Sequence, residues 1–407
     1  MTDQDAARSL GPTARLAILA VAALAVGVGG GVAVGRATAD PPPVVVPDEL
    51  QRADLAQPFA DFFQAYHTVT TDSYYAPLPD RKRLIYAAIN GMLMSGTGDP
   101  HTLFISPQEN TQAQGALDGQ FEGIGAYVDA TTRGVTLIPL PGSPAARAGL
   151  RAGDLIVRIA GRDVTTASED AVVTLLRGAA GTRVTLGVER TGVHGVLTVV
   201  VVRGRVTVPS VVARPIGNIA YLRLTQFGAT TGREASRALR ALLARHPRGL
   251  VLDLRDNPGG YVNTAIDVNS QFLPAGRTIL WEENGKGQLD APLRSLGGGQ
   301  ALTVPLAVLV NDGTASAAEI TAGALQDYRR ATIVGATTYG KGSVQQDYPL
   351  ADGSSLRITI RLWLTPHKHL IQNRGITPDI ALDSPVADGS ARDARRARAV
   401  RLLETGR

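Results

Sequence analysis

Two residues flanked by small neighbours, Ser316 and Lys341, are the ones best suited to chemistry in this chain. Ser316 stands in Asn311-Asp312-Gly313-Thr314-Ala315-Ser316-Ala317-Ala318-Glu319, where an apolar run gives way to a turn of small residues and then to a helical pattern. A hydroxyl at a helix N-terminus lies beside unpaired backbone N–H groups, which stabilise a developing oxyanion, and small neighbours let a peptide backbone approach. The same residues also spell a capping box, Ser316 with Glu319, and the local pattern alone favours that cap. Lys341 lies between two glycines in Thr338-Tyr339-Gly340-Lys341-Gly342-Ser343-Val344-Gln345. An isolated lysine is ordinarily a surface residue. Folded inward, its ammonium loses hydration, and the neutral amine can take a proton from a serine hydroxyl. Gln345 either orients that amine by hydrogen bonding or faces solvent from a strand. In Asp253-Leu254-Arg255-Asp256-Asn257-Pro258-Gly259-Gly260 the glycines free backbone amides to point at a ligand, or simply make a strand–helix turn.

Composition narrows the chemistry. The 407 residues include no cysteine, which excludes thiol nucleophiles, zinc–thiolate sites and disulfides. The formal charge of +5 is not gathered into a nucleic-acid-binding stripe. Its densest cluster, residues 392–401, reads as a solvated helix in a basic C-terminal tail, 383–407. Residues 16–35 are uncharged and almost entirely Ala, Val, Leu, Ile and Gly, a length that crosses a bilayer, with Arg8 and Arg15 ahead of them. Ala37-Thr38-Ala39 has the form of a signal-peptidase site. Residues 1–39 therefore read as a signal peptide or a signal anchor, followed by a Pro-rich linker at 40–49. Either reading puts the rest of the chain outside the cytoplasm, secreted or held on the membrane by an uncleaved N-terminal helix.

The elements that must position these residues follow in three blocks. Residues 50–117 carry two helical patterns, 50–70 and 80–94, which read as packing helices. Residues 118–205 change to short β runs with glycine punctuation, a self-contained β-rich unit. From 206 to 382 apolar runs at 219–224, 250–254 and 306–310 alternate with helical segments at 232–245, 262–272 and 316–328, the pattern of α/β layers. Residues 282–300 are Gly-rich and polar and read as a mobile surface loop, and 343–360 as a β-hairpin turning at Asp352-Gly353.

In order along the chain, these blocks resemble the carboxyl-terminal processing proteases, also called tail-specific proteases. The resemblance runs over roughly residues 50–382 and rests on several modest motifs in family order. Asp99-Pro100-His101-Thr102 is similar to the segment ahead of the family's PDZ domain, and Phe121-Glu122-Gly123-Ile124-Gly125 to a PDZ carboxylate-binding loop. Pro141-Gly142-Ser143-Pro144-Ala145 and Ala148-Gly149-Leu150 are similar to the PDZ body. Residues 254–260, 314–319 and 340–342 are similar to the catalytic blocks, and Leu364-Thr365-Pro366 with Gly375-Ile376-Thr377-Pro378-Asp379 to the closing segment. His367-Lys368-His369 departs from the small residues usual there.

The resemblance implies an α/β protease core with an inserted PDZ domain and an N-terminal helical segment. It implies Ser316 as nucleophile, Lys341 as general base and Gln345 as the residue holding the lysine. The oxyanion hole would use the amides of Ala317 and of Gly259 or Gly260. Gly123, Ile124 and Gly125 would bind a substrate's terminal carboxylate, with Arg177 linking that event to the active site. It implies no cofactor and no metal, protein or peptide substrates with exposed C-termini, and a homodimer through the N-terminal helices. It leaves an adaptor protein open. The alternative from another class is a catalytically inactive PDZ scaffold that only binds peptides.

Overall fold

The computed structural model describes residues 53–75, 80–131, 133–382 and 393–406. The apolar run at 16–35, the Ala37-Thr38-Ala39 site and the linker at 40–49 lie outside them. Among the described residues no helix is long and apolar enough to cross a membrane.

The chain opens with α1 (Ala53–Thr71), α2 (Arg81–Thr97), β1 (Leu103–Ile105) and α3 (Pro107–Leu117). A β-rich portion follows: β2 (Gln120–Gly123), β3 (Ala126–Thr131), β4 (Gly134–Pro139), α4 (Pro144–Arg147), β5 (Asp154–Ile159), β6 (Arg162–Asp163), α5 (Glu169–Leu176), β7 (Arg183–Glu189), β8 (Val196–Val202) and β9 (Gly204–Thr207). Its main sheet runs β3-β4-β5-β7-β8, and β2 pairs with β9 where the chain enters and leaves. Alternation along the strands buries Val135, Leu137, Ile156, Leu186 and Val188, and α5 closes this core with Val172 and Leu176. β3 is an edge strand of the sheet.

The second portion contains β10 (Val211–Ile216), β11 (Ile219–Leu224), α6 (Thr231–Leu243), β12 (Gly249–Asp253), α7 (Val262–Ser270), β13 (Thr278–Asn284), β14 (Leu293–Arg294), β15 (Leu306–Val310), α8 (Ala317–Asp327) and β16 (Thr332–Gly335). β17 (Ser343–Pro349), β18 (Ser355–Leu364), β19 (Ile380–Ala381) and α9 (Ala394–Thr405) complete the chain. The central sheet has the order β10-β11-β12-β15-β16-β19, parallel except for β10. β12 and β15 are buried at every residue, as parallel strands covered on both faces require. Tyr221, Val251, Ala307, Leu309 and Val334 form one face, against Ala399, Leu402 and Leu403 of α9. The alternate residues, among them Leu222, Leu252 and Val308, are equally buried and point the other way.

The described residues fall into two compact units. Gln112–Ser343, with the residues from Leu362 on, form the first, which holds both portions just described. The second joins the residues up to Thr111 with Val344–Arg361. There β1 pairs antiparallel with β18, Leu103 opposite Arg357, and β17 pairs with β18 as the expected hairpin. Tyr86 stacks on Phe104 at 4.4 Å, and its hydroxyl donates to Asp352 in the hairpin turn at 2.6 Å.

Three expectations are corrected. Of the basic C-terminal tail at 383–407, the described residues 393–406 are not simply solvated: α9 packs on the sheet, with Ala399 fully buried. Residues 282–300 are packed against the rest of the first unit rather than forming a loose surface loop. Leu293 pairs with Leu280, Gln300 donates to Ser236 Oγ at 2.7 Å, and a Cβ on Gly299 would lie 2.3 Å from the carbonyl oxygen of Ser270. The apolar residues of α1 do not form a buried packing stripe, since Phe59, Phe62 and Phe63 are exposed.

Leu309 is fully buried beneath α9, so Leu309→Ala removes contacts on which that helix sits. The expected loss is about 2–5 kcal/mol, read as a lower urea midpoint at unchanged slope.

Candidate active site

The end of β15 delivers Ser316. Its tight turn is held by Asn311 N–H donating to Thr314 Oγ1 at 3.0 Å, and it is stitched to the turn after β12 by two bonds. Thr314 Oγ1 donates to the carbonyl of Leu254 at 2.9 Å, and Ala315 N–H to the carbonyl of Asn257 at 2.9 Å. Ser316 then takes φ 55° and ψ −119°, a backbone conformation that a β-carbon disfavours and that its surroundings must impose. It is buried to 6% exposure at the start of α8.

Glu319, in the first turn of α8, imposes much of it. Its fully buried carboxylate accepts from Ser316 N–H at 2.8 Å and Thr338 Oγ1 at 2.5 Å, and from Gly340 N–H at 2.7 Å and Lys341 N–H at 2.9 Å. One carboxylate therefore grips the backbone of both residues proposed for chemistry. Burial pushes the Glu319 carboxyl above its ordinary value, and these four donors pull against that rise. The sequence showed Glu319 only as half of a cap, because its partners around Lys341 are some twenty positions on. Pairing a buried acid with Gly340-Lys341-Gly342 was the signal to look for.

Lys341 is 2% exposed. Its carbonyl accepts from the indole N–H of buried Trp363 at 3.0 Å, and Tyr339 N–H donates to the carbonyl of Thr314 at 2.9 Å, tying this loop to the serine's turn. Gly340 has φ 87°, and a Cβ there would lie 2.8 Å from the amide nitrogens of Arg374 and Gly375, so no side chain fits. Gln345, on β17 in the second unit, is fully buried, and its Nε2 donates to Thr359 Oγ1 at 3.1 Å.

The Pro258-Gly259-Gly260 turn lies against the serine. A Cβ on Gly259 would be 2.7 Å from Ser316 Cβ and 2.9 Å from the amide nitrogen of Ala317. Gly259 is thus required for close approach. Its own N–H, however, donates to Asn257 Oδ1 at 2.9 Å, which corrects its reading as an oxyanion donor. Beneath the turn Arg255 is fully buried, clamped to Asp253 at 2.6 Å and to Asp393 at 2.9 Å. Burial pushes the Asp253 carboxyl up, but Arg255, Arg223 and the Tyr221 hydroxyl hold it well below the usual carboxylate range. The sequence quoted Asp253 and Arg255 without a role, and nothing in it tied Asp393 to them.

A groove between β3 and α5 is lined by Gly123, Ile124, Gly125, Tyr127, Leu176 and Arg177, and continues to Gln226, Pro258 and Gly259. Ile124 and Gly125 use their carbonyls within the loop, accepting from Ala145 and Leu140 at 2.7 and 2.9 Å. The Arg177 guanidinium lies 5.9 Å from the centre of the Phe121 ring, and partial burial lowers its pKa. Away from the groove, His367 and His369 turn their Nδ1 atoms toward the Asp327 carboxylate at 3.8 and 3.3 Å.

Residues 218–382 match the pattern of peptidase family S41 and residues 139–190 that of a PDZ domain. The carboxy-terminal-processing protease of Bartonella bacilliformis is 38% identical over 338 residues, 81% of this chain and 75% of that protein. The chain belongs to the carboxy-terminal processing proteases of family S41. It is a serine peptidase of that type, with an α/β core and a PDZ domain. A second family member, the carboxy-terminal processing protease CtpA of Bacillus subtilis, is 34% identical over 79% of this chain and 68% of its own length. A solved S41-type protein of Bacteroides fragilis, 17% identical, aligns over 71% of this chain and 85% of its own with a TM-score of 0.51, a likeness of fold alone.

Two predictions follow from the buried carboxylates of this family site. Glu319→Gln turns an NH2 group toward donors and leaves at least one buried donor without an acceptor. A loss of about 2 kcal/mol or more in urea unfolding, and at least a tenfold fall in cleavage rate, is expected. Asp253, with its folded pKa depressed, contributes stability that is complete above its unfolded value of about 3.9 and is lost as pH falls through that value toward the folded one. The urea midpoint of the parent should therefore drop more steeply below about pH 4 than that of Asp253→Asn, which starts lower at neutral pH.

Proposed function

We propose that the chain is an extracytoplasmic endopeptidase in which Ser316 is the nucleophile and Lys341 the general base. The observation carrying this reading is the shared grip of Glu319 on the amides of Ser316 and Lys341. Lys341, as the neutral amine, accepts the Ser316 proton as Oγ attacks the scissile carbonyl carbon. The amides of Ala317 and Gly260 receive the oxyanion, an interaction worth about 10²–10³ in rate for one donor elsewhere. Collapse breaks the C–N bond, and the lysine ammonium hands its proton to the departing amine. Lys341 then deprotonates the water that hydrolyses the acyl-enzyme. Gln345, buried four residues on, is assigned to holding the lysine in its productive rotamer.

The groove supports a role for the PDZ domain in delivering substrate. A C-terminal tail adding to the edge of β3 would reach Gly123, Ile124 and Gly125 with its carboxylate, and the same groove extends to Pro258 and Gly259. Tethering at the groove raises the effective concentration of nearby peptide bonds at Ser316 without altering the chemistry. Arg177, on the groove wall, is proposed to sense the bound tail. The apolar run at 16–35 supports export, and the exposed Phe59, Phe62 and Phe63 of α1 support a homodimer.

The test uses an unfolded protein substrate with an apolar C-terminus. Ser316→Ala and Lys341→Ala should each fold and lose at least about a thousandfold in kcat. Amidating the substrate's C-terminus should raise KM about tenfold or more with kcat nearly unchanged. Cleavage persisting in Lys341→Ala would remove that residue as the base, and indifference to amidation would remove the carboxylate-binding role of the groove.

A further inference from the structure

The helix α9 lies beyond the 218–382 stretch that matches the family pattern, yet it reaches the active-site turn through one buried contact. Asp393 is the N-cap of α9, accepting from Arg396 N–H at 3.0 Å. The same carboxylate takes two bonds from Arg255, Nη1 to Oδ1 at 3.0 Å and Nη2 to Oδ2 at 2.9 Å. Asp253 holds the other side of the guanidinium, accepting from Nε at 2.9 Å and Nη2 at 2.6 Å, and also accepts from the Arg255 backbone N–H at 3.1 Å. All three side chains are shut off from solvent. A planar fork held on two edges is fixed in position and in plane.

Arg255 belongs to the turn itself. Four residues later comes Gly259, which meets Ser316 and the Ala317 amide with no room for a side chain. The intervening Asp256 and Asn257 are fixed to the serine's own turn: Asp256 N–H donates to Asn311 Oδ1 at 2.9 Å, and the Asn257 carbonyl accepts from Ala315 N–H at 2.9 Å. The guanidinium and the Gly259–Gly260 turn are thus parts of one short, pinned stretch of backbone. We propose that Asp393 is a positioning residue for the peptidase reaction, setting the Gly259–Gly260 turn against Ser316 through Arg255. This rests on the assignment of Ser316 and of that turn given above.

The experiment compares full-length Asp393→Asn with Leu403→Ala, which loosens α9 where it packs on the sheet without touching Arg255. The expected result is a fall of at least tenfold in kcat for Asp393→Asn at unchanged KM, with parental kcat in Leu403→Ala even where both lose the same Tm. Asp393→Glu, which restores the charge, should recover part of the loss. Parental kcat in Asp393→Asn, or an equal fall in Leu403→Ala, overturns the proposal and leaves the ion pair a purely structural device. If Asp393→Asn does not fold, Arg255→Lys, which keeps the charge but not the fork held on two edges, is judged against the same control, and parental kcat there overturns the proposal. Ser316→Ala runs alongside: activity in that variant would overturn the assignment of the nucleophile, whatever Asp393 does.

Discussion

Glu319 carries the heaviest constraint in the molecule. A carboxylate with no exposure is costly to bury, and it persists because four donors surround it. Hydrogen bonds to charged groups are worth about 1.5–3 kcal/mol each, against about 1–3 kcal/mol for one residue in a sparsely populated backbone region. The two are of the same order, so the bond from Ser316 N–H offsets the strain of its positive φ. The arrangement also removes freedom from the loop of Lys341, where the amides of Gly340 and Lys341 are committed to the same acid. Strain at the serine and order at the lysine are thus two ends of one polar cluster, and neither can be altered alone.

The central sheet makes that cluster reachable. β12 and β15 are adjacent and parallel, so the turns at their C-terminal ends emerge side by side and can be stitched by Thr314, Ala315 and Asn311. Open α/β sheets place ligands in the crevice beyond the carboxyl ends of their strands, the end of the sheet at which Ser316 stands. The same adjacency explains why α9 matters. It covers the face of β11, β12, β15 and β16 away from the alternate, inward-pointing row, and its cap carboxylate sits beneath one of the two stitched turns.

What could be read from the chain beforehand was set by how local each signal is. The parallel strands β11, β12 and β15 announced themselves as mostly apolar runs, and the turns at Ser316 and Gly259 as clusters of small residues. The hairpin at Asp352-Gly353 carried its turn chemistry in two adjacent letters. The misreadings share the opposite property. Arg392 to Arg401 shows as a charged surface because the small face that buries Ala399 is outnumbered by arginines. Glycines at 297–299 suggested mobility, whereas the contact of Gly299 with Ser270 shows one of them serving close packing. Asp393 and Arg255, 138 positions apart, leave no mark in either neighbourhood that the other exists.

The place of β3 at the sheet's edge bears on which proteins can be attacked at all. An edge strand accepts only extended backbone with its own hydrogen-bonding groups unspent, so a tail engaged in a helix or sheet must first come loose. On the proposed reading, selection then operates on the local unfolding free energy of the target as much as on its terminal residues. Two proteins ending in identical tails would differ in lifetime by the Boltzmann weight of their frayed states, about tenfold for each 1.4 kcal/mol. Such an enzyme surveys the integrity of chain ends, sparing those that stay folded.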